Sequence, residues 1–376
     1  MHSRSTTAVA LAFACLVSNA AAEATEDVSR FGWVVSAREV PTVATGMRRR
    51  WFLDGLDKDA RAMRTSCAAS GLDHVWLLES DDSSSAARAG RSLASDPDVE
   101  WIEPLQRRAP ADLAAGPPAG FESIGFPNDP LFVDGRQWGL DNRGAAGVYG
   151  GVAGADIRAV QAWSMSRGDP SVRLAIADTG IDPHHPDLAM ETPRGPRIEL
   201  GINVTTDPSG SWADSAGHGT AVAGVMAART GDGAALDSLG MAGVCGGDGG
   251  DNAGCRIVPI KITSGHATAA TSFDVARAIV YAVTAGARAV NVSFAGTGTS
   301  RLERLALSYA IERGCLVVAA SGNRGASAGT QPQYPAAYAA DGLCLQVGAS
   351  DVWDRRAVFS SYGPGLDVVA PGVDIW

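Results

Sequence analysis

The sequence predicts an α/β protein, a doubly wound parallel sheet with helices on both faces, preceded by a smaller α/β unit. Three observations predict it. Short, nearly continuous apolar runs recur between residues 172 and 371 and alternate with amphipathic stretches; strands buried on both faces read this way. Residues 27–106 repeat the alternation on a smaller scale, set off by the aperiodic Ala/Pro/Gly-rich stretch RRAPADLAAGPPAG. The residues capable of chemistry fall just past apolar runs or at helix starts, where such sheets place their sites. The chain of 376 residues is long enough for two or three compact units, and 45% hydrophobic against 19% charged residues is a globular balance. Its net charge of −10 lacks the basic footprint of a nucleic-acid binder, so no nucleic-acid partner is expected.

Residues 1–22 read as a secretory signal: Arg4, an apolar run from Ala8 to Val17, then Ala20-Ala21-Ala22. They imply an exported protein, extracellular or periplasmic. No later run is long enough to span a bilayer. In the unit at 27–106, GWVVSA (32–37), HVWLLES (74–80) and VEWIEPL (99–105) are strands, and 58–69 and 86–95 are helices. This is a small α/β module of split βαβ, ferredoxin-like type. Residues 107–125 read as a linker, where exposed backbone is open to cleavage. Arg107-Arg108 is a candidate cut, or simply a solvated charge pair.

The second unit, 126–376, opens its regular pattern with VRLAIAD (172–178), a strand ending on a carboxylate. A helix over 221–228 follows His218. RIVPIKI (256–262) is a strand, and 272–285 a helix with Val275, Ile279, Val280 and Val283 on one face. AVNVSF (289–294) is a strand. Residues 300–313 form a helix stopped by Gly314, and CLVVAAS, LCLQVGAS and LDVVAP are three further strands. Four of the six cysteines, Cys245, Cys255, Cys315 and Cys344, lie in this unit. An even number in an exported domain suggests disulfides, with three pairings open. Cys245–Cys255 would close the loop GGDGGDNAG, and Cys315–Cys344 would join two runs that each begin on cysteine. No Cys-x-x-Cys spacing supports zinc.

Three residues carry chemistry: Asp178 in AIADTGID, His218 in GHGTAVAG and Asn323 in AASGNRG. A carboxylate can orient an imidazole and stabilise the imidazolium. The imidazole can act as base and then acid, and an amide N–H can hold an oxyanion. Each is weak evidence alone; together, in this order and these settings, they are strong. No Gly-rich phosphate loop follows the first strand, which excludes a nucleotide-binding reading.

In these motifs, and in DVVAPG near its end, the chain resembles the subtilisin-like serine peptidases, over about residues 126–376. The resemblance implies a secreted serine endopeptidase acting on polypeptides through an acyl-enzyme and requiring no cofactor for chemistry. It implies a monomer whose residues 27–106 are an inhibitor-I9-like propeptide, an intramolecular inhibitor later cut away within about 105–126. It implies that Ser293, Phe294, Ala295 and Gly296 pair with substrate backbone, and that Ala319, Ala320, Ser321 and Gly322 line the pocket before the cut bond. It makes Asp187, in HPDL, either a structural calcium ligand or a turn aspartate; Asp248 and Asp251 are weaker candidates. The family's nucleophile sits in Gly-Thr-Ser-x-Ala-x-Pro after the APG strand. Gly298-Thr299-Ser300 is a decoy, because it precedes Asn323 and because Ser300 and Glu303 form a capping box. The chain is therefore expected to be a C-terminally incomplete peptidase, lacking its nucleophilic serine. The alternative is an inactive pseudo-peptidase or peptide-binding or inhibitory module.

Overall fold

The computed structural model describes residues 31–37, 47–56, 67–80, 83–94, 96–110, 127–192, 195–206, 210–232, 240–264 and 269–376. The signal segment 1–22, most of the helix expected at 58–69 and most of the linker lie outside them.

The N-terminal unit contains β1 (Phe31–Ala37), β2 (Arg48–Trp51), β3 (Val75–Ser80), α1 (Ser83–Leu93) and β4 (Val99–Pro104). Its strands form an antiparallel sheet in the order β2-β3-β1-β4. Strand alternation splits its side chains between two faces. Val35, Ala37 and Leu78 pack with Leu93 of α1, whereas Val34, Val75 and Leu77 join the core of the second unit.

Residues Arg107–Pro110, expected in the linker, form β5. The second unit then runs α2 (Pro130–Val133), α3 (Ala159–Trp163), β6 (Arg173–Asp178), β7 (Glu191–Thr192), β8 (Gly195–Pro196) and β9 (Ile202–Asn203). It continues through α4 (His218–Ala227), β10 (Arg256–Lys261), β11 (Ala270–Thr271), α5 (Ser272–Thr284), β12 (Ala289–Val292) and β13 (Phe294–Ala295). It ends with α6 (Arg301–Glu312), β14 (Leu316–Ala320), β15 (Leu345–Ser350) and β16 (Val368–Pro371). Seven strands form a parallel sheet, β16-β15-β14-β12-β6-β10-β9. The chain leaves β6 to one side as β10 and crosses to the other as β12, so β6 is the switch point, where ligands bind beyond the carboxyl ends of strands.

The nearly continuous apolar runs follow from burial on both faces. In β6, Leu174 and Ile176 pack on the side of α4, and Ala175 and Ala177 on the side of α5 and α6. The latter core takes in Phe52, Leu53, Leu56 and Leu72 of the N-terminal unit, with Phe52 edge-on to Phe273 at 5.4 Å. Thr271 caps α5 by accepting from Asp274 N, and Ser300 caps α6 by accepting from Glu303 N. The decoy serine is thus structural, although Ser300 N donates to the Tyr338 hydroxyl at 2.7 Å. A residue of the N-terminal unit, Glu103, adds its carboxylate to the same helix start, accepting from Ser300 Oγ, Arg301 N and Leu302 N.

The disulfide expectations are corrected: all described cysteines are free thiols. Cys245 and Cys255 do lie side by side, thiol to thiol, but their loop is closed by Cys255 N donating to Cys245 O at 3.0 Å. Cys315 and Cys344 are kept apart by strand register. Leu345 pairs with Val318, which leaves the two cysteines two residues out of step, and Cys344 Sγ donates to backbone oxygens of Pro335 and Ala336. A bridge needs Cα atoms within about 7 Å.

Candidate active site

Asp178 ends β6 and His218 opens α4, and the fold brings them together: His218 Nδ1 lies 2.7 Å from Asp178 Oδ1. The Asp178 side chain is fully buried and that of His218 is 10% exposed, so a mostly covered imidazole is backed by a fully enclosed carboxylate. An ionised carboxylate only accepts, so Nδ1 carries the proton and Nε2 the lone pair. Asp178 Oδ1 also accepts from Thr179 N at 2.7 Å. The ring of Phe294 stands edge-on to the imidazole at 6.1 Å.

The approach of α4 to the end of β6 requires a glycine. A Cβ on Gly219 would fall 2.1 Å from Gly180 O and 3.0 Å from Asp178 Cβ. This accounts for the Gly in His-Gly-Thr: the helix start packs directly on the strand that carries its partner.

Two side chains that the sequence reading passed over hold this junction. Asp214 accepts five hydrogen bonds, from Thr179 Oγ1, Ala216 N, Gly217 N, Thr220 N and Thr220 Oγ1. It ties the residue after Asp178 to the first turn of α4. Burial alone would raise its pKa, but these donors outweigh burial and hold it below the usual carboxylate range. Lys261, paired with Asp178 in the sheet, buries its ammonium and donates to Thr179 O, Ala213 O and Ser215 Oγ. Replacing Asp214 by Ala leaves these donors without their acceptor. The expected loss is about 2–4 kcal/mol of unfolding free energy, with a displaced His218 imidazole resonance in NMR spectra. Wild-type values for both would remove Asp214 from the support of the pair.

The other expected residues lie along the same edge of the sheet. Ser293 follows β12, and its Oγ accepts from Asn291 Nδ2 at 2.8 Å. Ala319 and Ala320 end β14 and are buried, and Ser321 Oγ donates to Ser361 O. Asn323 follows Gly322, which has φ +90° and whose added Cβ would meet Gln333 Cγ at 2.9 Å. Asn323 is two strands from Asp178 in the sheet order, about 10 Å at the usual strand spacing.

Phe294 and Ala295 form β13, one edge of a three-stranded antiparallel sheet in the order β11-β5-β13. Ala295 pairs with Ala109 and Phe294 with Pro110; on the other side Ala270 pairs with Arg108 and Thr271 with Arg107. Gln106 N donates to Ser272 Oγ, and Ser272 N to Gln106 O. The cleft beside His218 thus holds an extended peptide by its main chain, and that peptide is the segment expected to be linker.

Asp187 is buried beyond the dyad. Its Oδ2 accepts from Met241 N at 2.9 Å, and its Oδ1 has no hydrogen-bond partner among the described residues. Asp129 matches it: Oδ2 accepts from Gly231 N at 2.8 Å, and Oδ1 is likewise orphaned. Burial, reinforced by Asp232 and Asp129, pushes Asp187 up to about 7; burial and Asp232 push Asp129 up to about 6. Asp232 itself lies 2.9 Å from Arg229 Nε. No metal-ligating cluster of three or more His, Cys, Asp or Glu occurs among the described residues. Residues 233–239, which follow Asp232 in sequence, lie outside them.

The profile of the Subtilase family matches residues 169–375. The chain is 37% identical over 286 residues to the thermophilic serine proteinase of Bacillus sp. (strain AK1), covering 76% of this chain and 58% of that protein. It is 36% identical over 247 residues to thermitase of Thermoactinomyces vulgaris, covering 65% and 73%. It is 35% identical over 289 residues to the cell wall-associated protease of Bacillus subtilis, covering 76% and 27%. The chain thus spans little more than half the length of the first relative and about a quarter of the third.

Proposed function

The chain belongs to the subtilase family, and from that premise we propose that it is an exported serine endopeptidase made with an N-terminal inhibitory unit. The observation that carries the reading is the Asp178–His218 pair, 2.7 Å apart, beside a cleft already filled by a peptide strand. A polypeptide substrate would take the place of β5, bonded through its main chain to β11 and β13. The reading requires a serine hydroxyl as nucleophile. His218 Nε2 takes its proton as oxygen attacks the carbonyl carbon, Asp178 stabilises the imidazolium, and the Asn323 amide donates to the oxyanion. His218 then returns the proton to the leaving amine, giving an acyl-enzyme that water hydrolyses by the same steps reversed. Ala319 to Gly322 would wall the pocket for the residue before the cut bond.

In this reading residues 27–110 are the inhibitory unit, and cleavage falls within 111–126. Support comes from β5 in the cleft, from Glu103 at the start of α6, and from the shared apolar core. The test is to read the source gene past the Trp376 codon, express the whole product, and assay hydrolysis of an unfolded protein with and without a serine-directed sulfonyl fluoride. Hydrolysis abolished by the reagent supports the proposal. A transcript that stops after Trp376, or a whole product that binds peptides without cutting them, would leave the binding-module reading in its place.

Asp129 and Asp187 fit a structural calcium ion. Calcium takes several hard oxygen ligands, and each carboxylate here has one buried oxygen unused and one fixed by a backbone N–H. Without the cation both carboxyls titrate above their unfolded values. Their contribution to stability is then present in acid and lost as pH rises through about 6 to 7. The chelated protein is therefore expected to lose about 2–4 kcal/mol between pH 5 and pH 8, and millimolar calcium to restore it. The check is thermal unfolding at both pH values with and without calcium. Equal melting temperatures in all four conditions would exclude the site.

A further inference from the structure

The contact between the N-terminal unit and α5 contains a buried group of charges that the proposed chemistry does not use. Arg277, 1% exposed, reaches out of α5 into the turn after β2. Its Nη1 donates to Phe52 O at 2.8 Å and its Nη2 to Asp54 O at 2.6 Å, with Trp51 O at 3.4 Å. The guanidinium is thus met by neutral carbonyls rather than by a carboxylate in direct contact. One turn earlier on α5 lies Asp274, whose Oδ2 accepts from Thr271 Oγ1 at 2.6 Å. The charged groups facing Asp274 are Arg277 on its own helix, Arg50 on β2 and Glu79 on β3; Asp54 acts on the two arginines. Arg50 Nη1 and Arg277 Nε are buried with no hydrogen-bond partner among the described residues. Asp274 and Arg277 belong to one unit and Arg50, Asp54 and Glu79 to the other, so the group exists only while the units are docked.

We propose that the α5 surface around Asp274 and Arg277 is a proton-linked docking site for the N-terminal unit, holding it more tightly in mild acid than at neutral pH. This rests on the reading of residues 27–110 as a detachable inhibitory unit and adds how its release is regulated.

The sign follows from what each group loses. In the docked state Asp274 is enclosed and faces the like charge of Glu79; burial is the larger cause, and together they lift its carboxyl to about 6 against the partial relief of the Thr271 hydrogen bond, Arg277 and Arg50. After separation Asp274 sits in water in the first turn of α5, where the helix dipole favours its ionised form. Docking therefore takes up a proton. Affinity gained this way is fully present below the pKa of the separated carboxyl and is lost as pH rises through about 6. The arginines remain charged throughout this range. Between pH 7 and pH 5 the dissociation constant is expected to fall about tenfold. Neutral pH is thus the releasing condition.

The full 376-residue chain is folded intact and then nicked within residues 111–126 by brief proteolysis. Release of the N-terminal fragment is followed by gel filtration over a dilution series at pH 5, 6 and 7 and constant ionic strength. No turnover is needed, so docking can fail while peptide hydrolysis stands, and the reverse. The expected results are tighter retention at pH 5 and, for Asp274→Asn, a pH-independent constant close to the wild-type value at pH 5. Arg277→Met should weaken retention at every pH. If Asp274→Asn does not fold, Glu79→Gln serves instead and should flatten the wild-type slope. Equal or weaker retention at pH 5 in the wild type, or a full slope in the folded Asp274→Asn or Glu79→Gln protein, overturns the proton linkage. Unchanged retention in Arg277→Met overturns its place in the docking site.

Discussion

In the product that carries the nucleophile, His218→Ala is expected to lower kcat for a polypeptide substrate by about 10⁴–10⁶-fold with little change in KM. The imidazole is the base in the first proton transfer and the acid in the second, and Asp178 Oδ1 holds its Nδ1 at 2.7 Å. Asp178→Asn should cost about 10⁴-fold. An amide at that position can present a donor to Nδ1 and turn the ring to the wrong tautomer while leaving the packing in place. Steady-state kinetics of wild type and the two variants, with stability measured in parallel, check both numbers. A His218→Ala protein within tenfold of wild type would remove the pair from the chemistry.

The second large effect comes from one methyl group. Gly219→Ala sets a Cβ 2.1 Å from a backbone oxygen and 3.0 Å from Asp178 Cβ. Neither neighbour is the free end of a flexible side chain, so α4 must withdraw from β6. The expected cost is about 3–5 kcal/mol, with a lengthened Asp178–His218 contact and activity falling by more than stability alone explains. Gly224→Ala on the same helix is the control. Its added Cβ meets only Met241, at the sulfur, 3.0 Å away, and the thioether can move. Urea unfolding of the two variants separates the cases; equal midpoints would show that close packing at residue 219 is not what the site needs.

What the sequence made legible was local. The strand at 172–178, the helix after His218 and the Ser300 cap depend on neighbours a few residues away, and the structure has each of them. What it hid was contact across long stretches of chain. Asp129 joins Gly231 from 102 residues away, and Lys261 reaches Thr179 across 82. Neither has a local signal beyond its charge. Arg277 reads as the polar face of an amphipathic helix, and only the docked turn at 51–54 makes it a buried residue. Arg107 and Arg108 read as linker because their strand partners, Thr271 and Ala270, lie more than 160 positions on. The cysteine pairing failed for a related reason: the offset between β14 and β15 is a property of the sheet, not of the runs that Cys315 and Cys344 begin. The glycine of His-Gly-Thr was recognisable as part of a motif, but its cause is a neighbour on another strand.

The strand β5 belongs to the same molecule as the cleft it fills. Its occupancy is therefore set by tether length rather than by how much protein is present. A covalent tether a few tens of residues long or less gives an effective concentration in the millimolar range. A free substrate at micromolar level competes at a disadvantage of about a thousandfold before any difference in fit is counted. One cut within 111–126 abolishes that advantage without altering a single contact, and the strand then competes only at its bulk concentration. The surrounding volume itself is then the agent that opens the cleft.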